Sequence, residues 1–455
     1  MSNYKIISDS QNEIETKNEK EKINKIKITE FEYPAKYKYI FFILFLLLGL
    51  INNLGYVLIL TGSQQFSSKL KSESLIACYP LALISFSSIS RFINSKFCIK
   101  ISYTKRIFFL SLYFFSGYIL LFIILSTYNK NVTIAFFLTL IPTIIMGTGT
   151  SFGEATILGY IRNFPKDYVS GWSSGSGVSG IVGCTISFLS KKKEWELKKL
   201  YLFVSPVAFV YFFLYFASKK IKEKLDKNFN FDLNYDNNFD NDNNNEILNS
   251  KIDENLNYSN VEIKTDVTKN KEMTIKNFIY GFKMGKRYIL NLAIVYYLEK
   301  TIQSGICERV SKKKEEIFKE DFYFKNSLYE SFLLCYHIGV FFSLSSLTIV
   351  KNISFVEIFS ILQTINLFLW TLEYYSYFIK IYWICFIHLF FVGLNGGASY
   401  VGCFYFIMAS KTIQPEFKEL CLNIGTIFND IGVLFSSITA LILDNTIMKI
   451  KDNQK

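Results

Sequence analysis

Two carboxylates, Glu154 and Glu299, each lie inside an apolar stretch long enough to cross a bilayer. A charge at that depth costs several kcal/mol unless it is paired, protonated or hydrated. Such a group suits reversible proton binding, or contact with the polar part of a solute. A structural carboxyl hydrogen-bonded to Ser or Thr fits the same positions. Thr150 and Gly147 share a helical face with Glu154, leaving room beside it for another helix or a ligand. Gln303 follows Glu299 by one helical turn, and Asn291 precedes it by about two turns on nearly the same face. Lys300 is the cation placed well inside a span; it either completes this cluster or snorkels to the interface. Asn52 and Asn53 are polar neighbours in the first span and suit interhelical hydrogen bonding or substrate contact. His337 and His388 are the only histidines, each alone in an apolar span. Helix packing explains them more simply than a proton relay. Asp430 reads as a polar partner from the second half, or as a helix–helix hydrogen bond. Glu308 is expected at a helix end, at the membrane interface.

Enzyme chemistry finds little support. Gly177-Val-Ser-Gly180 fits the GxSG of intramembrane serine proteases, but the surrounding span is rich in Gly and Ser. A serine nucleophile needs a base within hydrogen-bond reach, and neither histidine carries a supporting motif. The sequence contains no HExxH, no pair of intramembrane aspartates and no P-loop. Its eight cysteines occur singly, without CxxC spacing. The expectation is a protein that is not an enzyme and binds neither metal nor cofactor.

These residues need spans to hold them. Of 455 residues, 50% are hydrophobic and 18% aromatic, with apolar runs of roughly 20 residues between charged loops. Eleven spans are expected, near 39–61, 73–94, 105–127, 132–161, 169–190, 199–218, 284–304, 329–350, 353–372, 376–410 and 418–443. A polar tail, 1–38, precedes them, and the first span doubles as the targeting signal. The segment 219–276 is low in complexity and reads as a disordered linker. It separates a first half of six helices, 39–218, from a second of about five, 277–445; a short polar tail, 446–455, follows. The formal net charge of +12 sits between spans, where basic loops set orientation, so nucleic acid is not the expected partner. A cytoplasmic start leaves Lys191–Lys193 on the less favoured side. The chain is therefore an all-α polytopic membrane protein whose partner is the lipid bilayer.

The halves resemble one another. Gly147-Thr-Gly-Thr-Ser-Phe-Gly-Glu154 ends the fourth span's apolar run, and Gly393-Leu-Asn-Gly-Gly-Ala-Ser-Tyr400 does the same in the tenth. A basic turn follows each, and then a Gly/Ser-containing span in which Gly175 pairs with Gly425 across a four-residue gap. Internal repeats of this kind are common in secondary transporters, whose substrates bind between the halves near mid-membrane. Gly171, Gly175, Ser179, Gly183 and Ser187 form a small-residue stripe that lets two helices approach closely. Gly396 and Gly397 are read as packing positions in the same sense.

Several ordered motifs resemble those of the battenin family. They are Gly49-Leu-Ile-Asn-Asn-Leu-Gly-Tyr-Val57, Gly153-Glu154-Ala-Thr156, Trp172-Ser-Ser-Gly-Ser-Gly177, Tyr297-Leu-Glu299 through Gly305 to Glu308, Tyr336-His-Ile-Gly-Val-Phe341 with Ser345-Ser346, and Gly393 to Val401. The resemblance implies a major-facilitator-like fold in a lysosomal or vacuolar membrane, working by alternating access. It also implies a tie to organelle pH, and to efflux of small solutes such as glycerophosphodiesters or basic amino acids, with protons among the partners. The contrasting reading is a non-transporting protein that organises endolysosomal trafficking through partners at its tail and linker. Four departures stand out: His337 replaces a Gln, Leu344 an Arg and Val392 an acidic residue, and the chain ends without a lipidation-type cysteine.

Overall fold

A long apolar run in lipid must satisfy its own backbone hydrogen bonds, and the helix is the local way to do so. The computed structural model describes residues 34–98, 100–127, 132–161, 164, 168–242, 274–317, 324, 327–379 and 381–446. In the first half these form α1 (Ala35–Lys69), α2 (Cys78–Ile84), α3 (Ser87–Lys96), α4 (Tyr103–Thr127), α5 (Val132–Ile161), α6 (Tyr168–Lys192), α7 (Leu197–Val204) and α8 (Val207–Asp242). The second half has α9 (Ile275–Thr301), α10 (Cys307–Ile317), α11 (Leu328–Leu344), α12 (Leu347–Val350), α13 (Glu357–Ser376), α14 (Tyr382–Ala409) and α15 (Pro415–Asn445). A π-helical turn, Ile302–Ile306, joins α9 to α10. Among the described residues, six helices are long and apolar enough to cross a membrane by length and composition alone. The other expected spans are the broken pair α2–α3, the Gly/Ser-rich α6, the lysine-bearing α9, α11 and α13.

We call the face where α1 begins proximal and the face where it ends distal. The first span runs about two turns past its apolar run, to Lys69. That extension carries Thr61, Ser63, Gln64 and Ser67, all buried. They sit among protein rather than lipid, so the hydrophobic pattern stops before the helix does. The second span breaks between α2 and α3, where the Ser85 and Ser87 hydroxyls bond back to the Ala82 and Leu83 carbonyls and compete with the helical ladder.

Helix pairing repeats between the halves: α1 packs along α6 as α9 packs along α15, and α5 covers α2 as α14 covers α11. The halves meet where α6 faces α11 and where α2 faces α15. Glycines fix the repeat. Gly147 lies against the Leu83 carbonyl and Gly393 against the Tyr336 carbonyl. Gly175 lies against the Leu46 carbonyl and Gly432 against the Ala293 carbonyl. A Cβ at any of the four would overlap backbone that cannot swing aside. The partner of Gly175 in the repeat is thus Gly432, correcting the alignment with Gly425, which faces the Phe404 ring instead.

The small-residue stripe of α6 faces α1. Gly171 meets the Phe42 carbonyl, Gly183 meets Val57, and Ser187 Oγ lies 2.7 Å from Thr61 Oγ1. Ser179 is buried, and its hydroxyl donates to the Ser176 carbonyl at 2.6 Å. Among the described residues no hydrogen bond joins Ser179 to a histidine.

The polar segment expected as linker from 219 begins as helix, since α8 continues to Asp242. Lys219–Glu223 and Lys222–Asp226 pairs, spaced i to i+4, support its first turns beyond the apolar run. The remainder, 243–273, lies outside the described residues, as do 1–33 and 447–455.

Candidate functional site

Gly147 allows α2 to lie directly on α5, and Ser90 of α3 then donates to the Thr148 carbonyl at 2.9 Å. This seating carries Arg91 over Glu154, two turns further along α5. The guanidinium bonds Glu154 Oε2 at 2.9 Å and also bonds Asp430 of α15. Ser88 donates to the same Asp430 oxygen at 3.1 Å. Arg91 therefore ties the first half to the second. Side-chain exposure falls from 24% at Glu154 and 21% at Arg91 to 5% at Asp430, so the trio is more open at its first-half end. One guanidinium faces two carboxylates. The trio carries an uncompensated negative charge whenever both acids are ionised.

A second centre lies on α9 and its π turn. Glu299 is 1% exposed; its Oε1 accepts from Tyr336 of α11 and lies 3.6 Å from Lys300 Nζ. Lys300 also donates to Gln303 Oε1 at 2.8 Å and to the Tyr336 hydroxyl at 3.0 Å. It is held inside the protein by these partners and does not snorkel. Here the charges balance. Three buried polar atoms of this region have no hydrogen-bond partner among the described residues: Glu299 Oε2, Gln303 Nε2 and His337 Nε2. Gly396 was expected to serve helix packing, but its open side admits the Glu299 carboxylate, which a Cβ would displace. Gly397 does meet a helix, through Ser343 and the Val340 carbonyl of α11. The Tyr296 ring of α9 lies 6.3 Å from the Tyr400 ring of α14.

Other expected site residues lie elsewhere. Asn52 is fully buried: its amide donates to the Thr150 carbonyl at 3.0 Å, and its Oδ1 accepts from Tyr211 at 3.2 Å. Its polar atoms are thus bonded within the first half. Asn53 donates to the Gly49 carbonyl and to Ser176 Oγ, each at 3.0 Å. His337 packs its ring on Gly180 of α6. His388 bonds Asn366 at 3.1 Å and stacks on Trp370. Asn291 pairs with Ser399 and Ser360, away from Glu299. Glu308, expected at the interface, is 1% exposed in the first turn of α10, 2.7 Å from Lys312. Sequence reasoning missed Arg91, which lies near the end of the expected span 73–94. The run Ser87-Ser88-Ile-Ser90-Arg91, too polar for a helix end facing lipid, was the available signal.

Twelve-percent identity is enough to leave this helix arrangement recognisable. A D-xylose–proton symporter matches over 90% of this chain and 91% of its own, with a TM-score of 0.58. A bacterial homologue of the human lysosomal transporter Spinster, inward-facing and unoccupied, matches over 93% and 86%, at 10% identity and a TM-score of 0.55. The molecule is a multi-pass membrane protein of the major-facilitator fold. The family model described as CLN3 protein matches residues 43–450, and the chain belongs to that family, the battenins. Battenin of Dictyostelium discoideum is 30% identical over 403 residues, covering 88% of this chain and 93% of its own. Protein BTN1 of Saccharomyces cerevisiae is 25% identical over 413 residues, covering 88% and 93%.

Proposed function

We propose that this battenin is a transporter that moves a small polar solute across a lysosomal or vacuolar membrane by alternating access, and so supports organelle pH. The observation that carries the reading is the Arg91 trio, which joins the two halves with one positive and two negative groups. A trio short of one positive charge accepts a proton or the cationic group of a basic amino acid. It also offers a guanidinium to an anionic group, such as a phosphodiester, once that group displaces a carboxylate. The arginine lacking at Leu344 thus has a counterpart at Arg91 in the other half.

The balanced Glu299–Lys300 pair supplies a second polar wall, and the unpartnered Glu299 Oε2 and Gln303 Nε2 are free to meet a solute or proton. Basic residues gathered at the proximal loops favour a cytoplasmic proximal face. The N-terminal tail and the linker then share that face, and protease added to intact organelles should cut both.

Metabolite profiles of the isolated organelle, with and without the protein, test the reading. A glycerophosphodiester or a basic amino acid should accumulate when the protein is absent. Indistinguishable profiles would contradict transport of these solutes.

A further inference from the structure

The trio is not the only charged bridge between the halves. Lys191, in the last turn of α6, places its ammonium 3.0 Å from Glu330 Oε1 and 3.1 Å from Oε2, in the first turn of α11. The same ammonium donates to Gln64 Oε1 of α1 at 2.9 Å, and Gln65 donates to Glu330 at 3.3 Å. Glu330 is fully buried, whereas Lys191 keeps 22% exposure. Beside the other inter-half contact, Asn445 of α15 donates to the Ser74 carbonyl at 3.1 Å. All of these groups lie at the distal ends of their helices.

We propose that Lys191 and Glu330, with Gln64 and Gln65, form the latch that closes the distal face of the protein. A carboxylate buried between two bodies is stable only while its cation, supplied by the opposite body, stays in place. Separation of the distal ends exposes Glu330 to water and releases Lys191, so the pair is made in one state and broken in the other. The latch also accounts for a lysine on the less favoured side of the membrane: Lys191 is engaged by a carboxylate and two helices. The trio is not its equivalent. Arg91 and Glu154 are both partly exposed, whereas the latch carboxylate Glu330 is fully buried against its cation.

This inference rests on alternating access, but its test needs no substrate. Asn53 lies eleven residues before Gln64 on α1, about 16 Å along the helix at ~1.5 Å per residue. With the native cysteines replaced, Asn53→Cys in reconstituted vesicles reports access from the distal face to a membrane-impermeant maleimide. Glu330→Gln and Lys191→Met should each raise the distal labelling rate about tenfold, and the charge reversal K191E/E330K should return it to the parental rate. Size-exclusion profiles identify any single variant that fails to fold, and the reversed pair then decides the matter alone. Unchanged rates in folded single variants, or a reversed pair that is folded yet labels about tenfold faster than the parent, would overturn the latch. Either result leaves the transport reading to be judged by solute measurements, because labelling proceeds without solute.

Discussion

The first and second halves repeat their backbone contacts and differ in their polar chemistry. Gly147 and Gly393 each admit a carbonyl from the preceding packed helix, as Gly175 and Gly432 do in the other pair. In the register these contacts fix, Asn52-Asn53 corresponds to Glu299-Lys300, Arg91 to Leu344, and Glu154 to Tyr400. At these matched positions the first half carries charge on α3 and α5 and amides on α1, whereas the second carries charge on α9 and has Leu on α11 and Tyr on α14. Close packing tolerates little change because backbone fills the gap. Side chains facing the space between the halves are free to diverge, and that divergence gives a nearly symmetric scaffold an asymmetric site.

The largest effect is expected where the halves agree. Gly175→Leu and Gly432→Leu should each abolish folded protein, since overpacking against backbone has no low-cost relaxation. Size-exclusion profiles of the solubilised variants measure this. A well-folded Gly432→Leu beside a collapsed Gly175→Leu would break the equivalence of the two helix pairs.

The next effect separates the halves. Arg91→Leu leaves Asp430 and Glu154 without their cation, a loss of about 3–5 kcal/mol where a buried pair is broken. Arg91→Leu combined with Asp430→Asn and Glu154→Gln removes the stranded charges and should recover abundance but not transport. Recovery of transport as well would make the trio structural only.

A smaller effect concerns Glu299. Glu299→Gln keeps shape and hydrogen bonding while removing ionisation; it should flatten the pH dependence of transport and leave abundance intact. Gly396→Ala should disturb the same carboxylate, lowering activity about tenfold with Glu299 present and having little effect in a Glu299→Ala background. Equal effects in both backgrounds would make Gly396 a packing position after all. The smallest effect belongs to Asn52→Ala: a loss of about 1–3 kcal/mol in stability from unpaired buried partners, with substrate affinity unchanged in the folded fraction.

Much of this was legible before the structure. The bounds of α5 follow directly from its apolar run, 132–161. Glu154, Glu299, Lys300 and Gln303 stood out because a charge or amide deep in a span has few explanations. What remained hidden depended on contacts between distant segments. Arg91 and Glu330 lie near span ends, where charge is ordinary, and only helix packing reveals that both are bonded across the halves. The π turn after Thr301 leaves no mark in composition. For Asn52, interhelical bonding and solute contact stood equally open, because sequence cannot show that Tyr211 and Thr150 occupy its polar atoms.

The central claim is that the inter-half trio handles solute during transport. Its most direct test is uptake of glycerophosphodiesters and basic amino acids by proteoliposomes under an imposed pH gradient, comparing the parent protein with the charge-balanced triple variant of Arg91, Asp430 and Glu154. The account predicts uptake of at least one solute class by the parent and none above protein-free vesicles by the folded variant. Equal uptake by the two proteins would contradict it.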